Sequence, residues 1–222
     1  MVTLCIQPRK VYKSAYYRKQ TKNQWARDDP AFVVIQVLFL VVATIAWALA
    51  FHVDQMIQYL SLLFHAIIIE WLSLGLMIST FWWWIANHQL RQRKTYDNHG
   101  MGDALYVEQQ VEWQFAFDIH CNSFLILFLF LYVVQFFLAP LLISDSFFML
   151  LVGNLLYSLG WGFYTYITFL GYMALPFLHR TEQLLLPLVV ILALFVSTLV
   201  LHAVFGAQIN FAHLSMQYYY AP

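Results

Sequence analysis

Glu70 is the residue in this chain whose position demands an explanation, because it interrupts an otherwise apolar stretch running from Tyr59 to about Ala86. A carboxylate at the centre of a lipid-spanning helix costs on the order of 2.5 to 3.5 kcal/mol on an insertion scale, so it must face protein or water. Two readings follow: a structural hydrogen bond to a neighbouring helix, or a ligand or proton site such as a small transporter, channel or intramembrane enzyme would use. Asp118, His120 and Asn122 cluster at the start of a later apolar run, and Asn154 lies within the next one. Together these five residues are the candidate intramembrane polar site. Asp118 and Asn122 share a helix face at i and i+4 while His120 points elsewhere, which matches neither a two-histidine metal motif nor a paired nucleophile and base. Capping and interhelical bonding explain the same residues. The eight histidines are scattered singly and no glycine-rich phosphate loop ends in a lysine, so no catalytic residue, cofactor, metal or small-molecule substrate is assigned.

A second cluster is electrostatic. Arg9, Lys10, Lys13, Arg18, Lys19, Lys22 and Arg27 are interleaved with Tyr12, Tyr16, Tyr17 and Trp25, and Asp28 and Asp29 leave the segment a net charge of +5. Such a stretch binds anionic membrane lipids. The same composition also fits an acidic patch on a cytosolic protein, or RNA held through phosphates and stacked bases. The seven basic residues and Trp25 are therefore the candidate contact residues for lipid, partner or RNA.

The elements that position these residues are membrane helices. The chain is 62% hydrophobic and only 10% charged, against roughly a quarter charged in soluble domains. Its apolar residues fall in runs long enough to cross a hydrocarbon core about 30 Å thick at 1.5 Å per residue. Five spans are expected, at about 32–51, 59–86, 119–139, 147–170 and 184–205, with the third stopped by Pro140. The runs are too long, and lack the alternation, for barrel strands. Residues 1–31 form a basic aromatic segment, 87–117 the one long polar loop, and 206–222 a tail. In helix four, Gly153, Ser158, Gly160 and Gly162 fit close helix packing in lipid. Cys5 and Cys121 are too few for a disulfide framework. Met1 to Pro30 lacks the apolar core of a cleavable signal, so the first span itself is expected to direct insertion.

Of eleven Lys and Arg residues, seven precede the first span, three lie between the second and third, and Arg180 lies between the fourth and fifth. The positive-inside rule then places the N-terminus in the cytoplasm and the C-terminus in the lumen. The fold class expected is an all-α polytopic membrane protein.

Three stretches carry a resemblance: Tyr17 to Phe32 (YRKQTKNQWARDDPAF), Glu112 to Phe124 (EWQFAFDIHCNSF) and Leu151 to Leu178 (LVGNLLYSLGWGFYTYITFLGYMALPFL). In order and spacing they resemble the uncoordinated-50 family of eukaryotic multi-pass endomembrane proteins, across most of the chain. The resemblance implies residence in Golgi and endoplasmic reticulum membranes, and at the inner nuclear membrane. It implies a non-enzymatic part in vesicular transport and in surface delivery of receptor cargo such as nicotinic acetylcholine receptors. It further implies association with Arf guanine-nucleotide exchange factors, and RNA binding. It also suggests a carboxylate at the place of Glu70. Relative to the family pattern the chain begins close to the basic motif, which points to an absent upstream segment, and Asn87 to Val111 departs from that pattern. Partner contacts in those two places are expected to differ.

Overall fold

A computed structural model describes residues 2–92, 109–144 and 146–220. Two N-terminal helices, α1 (Val2–Ile6) and α2 (Pro8–Lys22), precede five helices long and apolar enough to cross a membrane: α3 (Ala31–Ala50), α4 (Met56–Leu90), α5 (Trp113–Leu142), α6 (Phe147–Met173) and α7 (Thr181–Phe205). A last helix, α8 (Phe211–Tyr220), follows. Among the described residues the β-pairing consists of one isolated antiparallel bridge between Arg91 and Leu178.

The all-α, five-span architecture agrees with the apolar runs, but α4 and α5 extend beyond the expected bounds for physical reasons. Helix α5 starts at Trp113 rather than Ile119 because the polar residues of its first turns find protein partners, described below, instead of water. It also runs through Pro140 to Leu142. So close to the C-terminus, the missing proline N–H leaves one carbonyl unpaired and the helix need not break. Helix α4 continues to Leu90, where Asn87 holds the returning chain: Val111 N donates to Asn87 Oδ1 at 2.9 Å, and Asn87 Nδ2 donates to Val111 O at 3.1 Å. The backbone widens into π turns in α4 at His65–Ser73 and Ala86–Leu90 and in α5 at Leu129–Val134. Of the expected 87–117 loop, Arg93, Lys94, Asp97, Asp103 and Glu108 lie outside the described residues.

The basic segments gather at one end of the bundle. His179 N donates to Leu90 O at 2.7 Å and Gln92 N to Phe177 O at 3.1 Å, and Phe177 in turn packs against Trp25. A single apolar core joins Leu4, Tyr12, Ala15, Trp25 and Ala26 to buried residues of α5 and α6. At the other end α7 stops at Gly206, whose φ of 66° places it in the left-handed region that favours glycine. The chain then turns back, and α8 packs into the bundle through Ala212 and Met216, so residues 206–222 hold a docked helix where the sequence reading expected a plain tail.

Helix α6 uses its small residues for contact. A Cβ on Gly160 would lie 3.3 Å from the Leu127 and Phe130 side chains, and one on Gly171 would lie 2.7 Å from Ile119. The α5–α6 interface is therefore close-packed at both points, as small residues allow where no hydrophobic effect separates helix from lipid.

Candidate functional site

The N-terminal basic stretch is built into the protein as a collar on one end of the bundle. Helix α2 begins with Pro8 in its first turn, where the missing N–H is harmless. It lays Tyr12 and Ala15 on α6, with the Tyr12 hydroxyl donating to Ile167 O at 3.2 Å. Burial pushes the Tyr12 phenol above its ordinary value of 10, so the neutral form is the docked one. Asn23 ends the helix in the left-handed region, its N–H returning to Lys19 O at 3.1 Å.

Beyond Asn23 the chain is held by acceptors on α5. The backbone N–H groups of Trp25 and Ala26 donate to the Glu112 carboxylate at 3.0 and 3.1 Å, and Arg27 N–H donates to Asp118 Oδ2 at 2.6 Å. The Arg27 guanidinium donates to Asn122 Oδ1 at 2.5 Å and sits 4.5 Å from the centre of the Phe32 ring. Arg18 Nη2 donates to Trp25 O at 3.1 Å. Partial burial, and then the nearby Arg27 charge, lower the affinity of Arg18 for its proton. Trp25, 2% exposed, is enclosed by Tyr16, Phe115 and Phe177. These are charge-assisted bonds on a buried loop, and each contributes about 1.5 to 3 kcal/mol, with the solvent-facing groups at the low end.

This arrangement divides the candidate contact residues. Arg18, Lys19, Trp25 and Arg27 face inward: Lys19 approaches Glu112 at 3.8 Å and lies 5.9 Å from the Trp25 ring. Arg9, Lys10, Lys13 and Lys22 are exposed. Lys22 pairs with Asp28, and that hydrogen bond and charge hold the Asp28 carboxyl below the usual carboxylate range. The outward face of α2 thus presents Arg9, Lys10 and Lys13 beside Tyr16 and Tyr17, which are 48% and 66% exposed. A groove of about 490 Å³ lies between this face and the Met173–Ala174 end of α6. The exposed residues can meet phosphates or carboxylates, and the inward ones hold them in place.

The five intramembrane candidates do not form one site. Asp118 and Asn122 share Arg27, as their common helix face allows. His120 turns to α6, its Nδ1 lying 2.8 Å from the Tyr164 hydroxyl, and its ring fills the space a side chain at Gly75 would occupy. Glu70 accepts a hydrogen bond from the Tyr132 hydroxyl, between the π turns His65–Ser73 and Leu129–Val134. Asn154 is completely buried and holds the C-terminal return: its Nδ2 donates to Thr198 Oγ1 at 3.0 Å and Ile209 O at 2.7 Å, and its Oδ1 accepts from Phe211 N at 2.8 Å. Asn210 completes that junction by accepting from the N–H groups of Ala212 and His213 at the start of α8. Among the described residues no three His, Cys, Asp or Glu side chains converge where a metal would bind. Glu112, Asn87 and Asn210 are the positioning residues that sequence reasoning missed. Glu112 had a visible signal, an acid immediately before the first residue of an aromatic helix.

Comparison with known proteins gives one consistent result. A family model described as the UNC-50 family matches residues 1–220. The chain is 46% identical over 201 residues to the protein unc-50 homolog of Dictyostelium discoideum, covering 90% of this chain and 74% of that one. It is 39% identical over 222 residues to the Rattus norvegicus homolog, covering 99% and 78%. It is 40% identical over 200 residues to protein unc-50 of Caenorhabditis elegans, covering 90% and 62%. No solved structure matches the chain.

Proposed function

The chain belongs to the UNC-50 family, and from that membership we propose that it is a non-enzymatic trafficking factor of Golgi and endoplasmic reticulum membranes that also reaches the inner nuclear membrane. In this reading it assists vesicular transport and surface delivery of receptors such as nicotinic acetylcholine receptors by recruiting an Arf exchange factor. The observation that carries the recruiting role is the division of the basic segment into inward anchors and an outward face. Arg18, Trp25 and Arg27 fix α2 to the bundle, so Arg9, Lys10 and Lys13 are displayed on a rigid helix. A surface pre-organised in this way loses less entropy on binding than a free basic tail. The positive-inside rule directs this end to the cytoplasm, where coat machinery and anionic lipid headgroups both meet it.

Reversing charge at Arg9, Lys10 and Lys13 tests the assignment while leaving the anchors intact. The variant should insert and fold as wild type, and lose its exchange factor in affinity capture from gently solubilised membranes. Capture undiminished by the reversal would remove the recruiting role from this face. Ultraviolet crosslinking of the same face to RNA, with protein capture unchanged, would assign it to RNA instead.

A further inference from the structure

Inside the bundle, away from the basic collar, a cavity of about 290 Å³ is lined by Glu70 and His65 of α4, Thr44 of α3, Gln135 of α5 and Ser215 of α8. We propose that this cavity binds a small organic ammonium ion, either a free amine or the amine of a lipid headgroup, with Glu70 as its counter-charge.

Four observations carry the assignment. First, the polar atoms there ask for a donor or a cation. Gln135 is 3% exposed and Thr44 is 2% exposed, and neither Gln135 Oε1 nor Thr44 Oγ1 has a hydrogen-bond partner among the described residues. The amide orientation of Gln135 is fixed by its Nε2, which donates to Ala212 O at 3.4 Å and Ser215 Oγ at 3.1 Å, so the unpartnered atom is the acceptor. Second, the cavity carries an acid, Glu70, with no fixed positive charge beside it. No lysine or arginine is among the described lining residues, and Glu70 is held by neutral phenols, Tyr132 donating to it and Tyr219 lying beside it. Third, the walls are aromatic. Trp47, Tyr132, Tyr157, Trp161 and Tyr219 line the same cavity, and rings of this kind attract a desolvated organic cation through their negative faces.

Fourth, the backbone is altered at this place. The π turns His65–Ser73 and Leu129–Val134 contain five lining residues of the cavity, His65, Ala66, Glu70, Leu131 and Tyr132. Such widened turns are rare and cluster at functional sites because they redirect side chains at a cost in helix geometry. A hydrated metal ion fits these walls poorly, since aromatic rings offer no oxygen ligands and hard cations need several. A primary ammonium can donate N–H groups to the carboxylate and the two acceptors, whereas a quaternary one such as choline meets the carboxylate and the rings through its charge and an acceptor through its hydroxyl. Helix α8 closes one side through Ser215, Met216 and Tyr219, so the cavity exists only while the C-terminal return is docked.

Choline and its neutral isostere 3,3-dimethylbutan-1-ol are the probes, with the full chain in phosphatidylglycerol nanodiscs and tryptophan fluorescence, to which Trp47 and Trp161 contribute, as the readout. Choline should bind saturably, and the neutral isostere at least about thirtyfold more weakly, as loss of an ion pair and cation–π contacts requires. Glu70→Gln should lose choline by a similar factor while its thermal unfolding stays near wild type. If that variant does not fold, the contrast between choline and its isostere on wild type decides. Discs of phosphatidylcholine should abolish the response to free choline if lipid headgroups supply the ammonium, and leave it unchanged if the ligand is a free amine. Equal binding of choline and the isostere, full choline affinity in folded Glu70→Gln, or no saturable binding would overturn the proposal.

Discussion

Replacing Glu112 with alanine should release the Trp25–Arg27 loop while leaving the five spans in place. The carboxylate accepts the N–H groups of Trp25 and Ala26, residues 2% and 1% exposed, and its third partner is Lys19 at 3.8 Å. The ion pair is partly solvated at both ends and contributes about 0 to 1 kcal/mol. Leaving two buried backbone donors unpaired costs about 1 to 3 kcal/mol each, and water reaching the vacated side places the sum at about 2 to 4 kcal/mol. At about 1.4 kcal/mol per factor of ten, amide hydrogen exchange at Trp25 and Ala26 should accelerate roughly thirty- to seven-hundredfold. Glu112→Gln, which retains one acceptor oxygen, should show about half the energetic effect. Lys19→Ala should stay within about fivefold of wild type. If Lys19→Ala accelerated exchange as much as Glu112→Ala, the ion pair rather than the backbone bonds would hold the loop. Unchanged exchange in Glu112→Ala would refute the collar.

Docking of α2 should also depend on alkaline pH. Because burial raises the Tyr12 phenol, its contribution is fully present below pH 10 and is lost as pH rises toward its folded value. Fluorescence of an α2-attached dye should report this loss, and Tyr12→Phe should remove the pH dependence at a cost of about 1 kcal/mol for the bond to Ile167 O. Gly171→Ala forces a methyl group against Ile119 within a packed interface, so it should destabilise the protein by about 1 to 3 kcal/mol, measured by thermal unfolding in detergent. Asn154→Ala removes three hydrogen bonds from the C-terminal junction. It should raise the thiol accessibility of a cysteine placed at Ser215 more than tenfold, as expected for about 2 to 4 kcal/mol of local stability.

The five spans were legible because lipid makes long apolar runs obligatory, and Phe32 to Phe51 or Leu184 to Phe205 admit few other readings. What escaped were polar residues whose partners are remote in sequence. Asp118 and Asn122 were rightly placed on one helix face, yet their common ligand is Arg27, more than 90 residues away. With that partner unknown, the acids Glu112 and Asp118 flanking Trp113 to Phe117 read as loop, which is why α5 was expected to start late. The same limit applies to the basic segment: seven positive charges dominate its composition, and only Tyr12, Ala15 and Trp25 hint at a buried face. The C-terminal helix was hidden because its anchor, Asn154, lies in another span. Glu70 was found from cost alone, since a charge among apolar residues is visible without a fold, whereas the π turns and the aromatic walls around it needed coordinates.

The claim that a fixed basic helix recruits trafficking machinery is tested most directly by capture from membranes with two charge variants side by side. One reverses the outward residues Arg9, Lys10 and Lys13; the other removes the inward anchor with Glu112→Ala. The account predicts that the outward variant keeps protected Trp25 and Ala26 amides but loses the exchange factor, whereas the anchor variant loses both. Undiminished capture by the outward variant, with its fold intact, would contradict it.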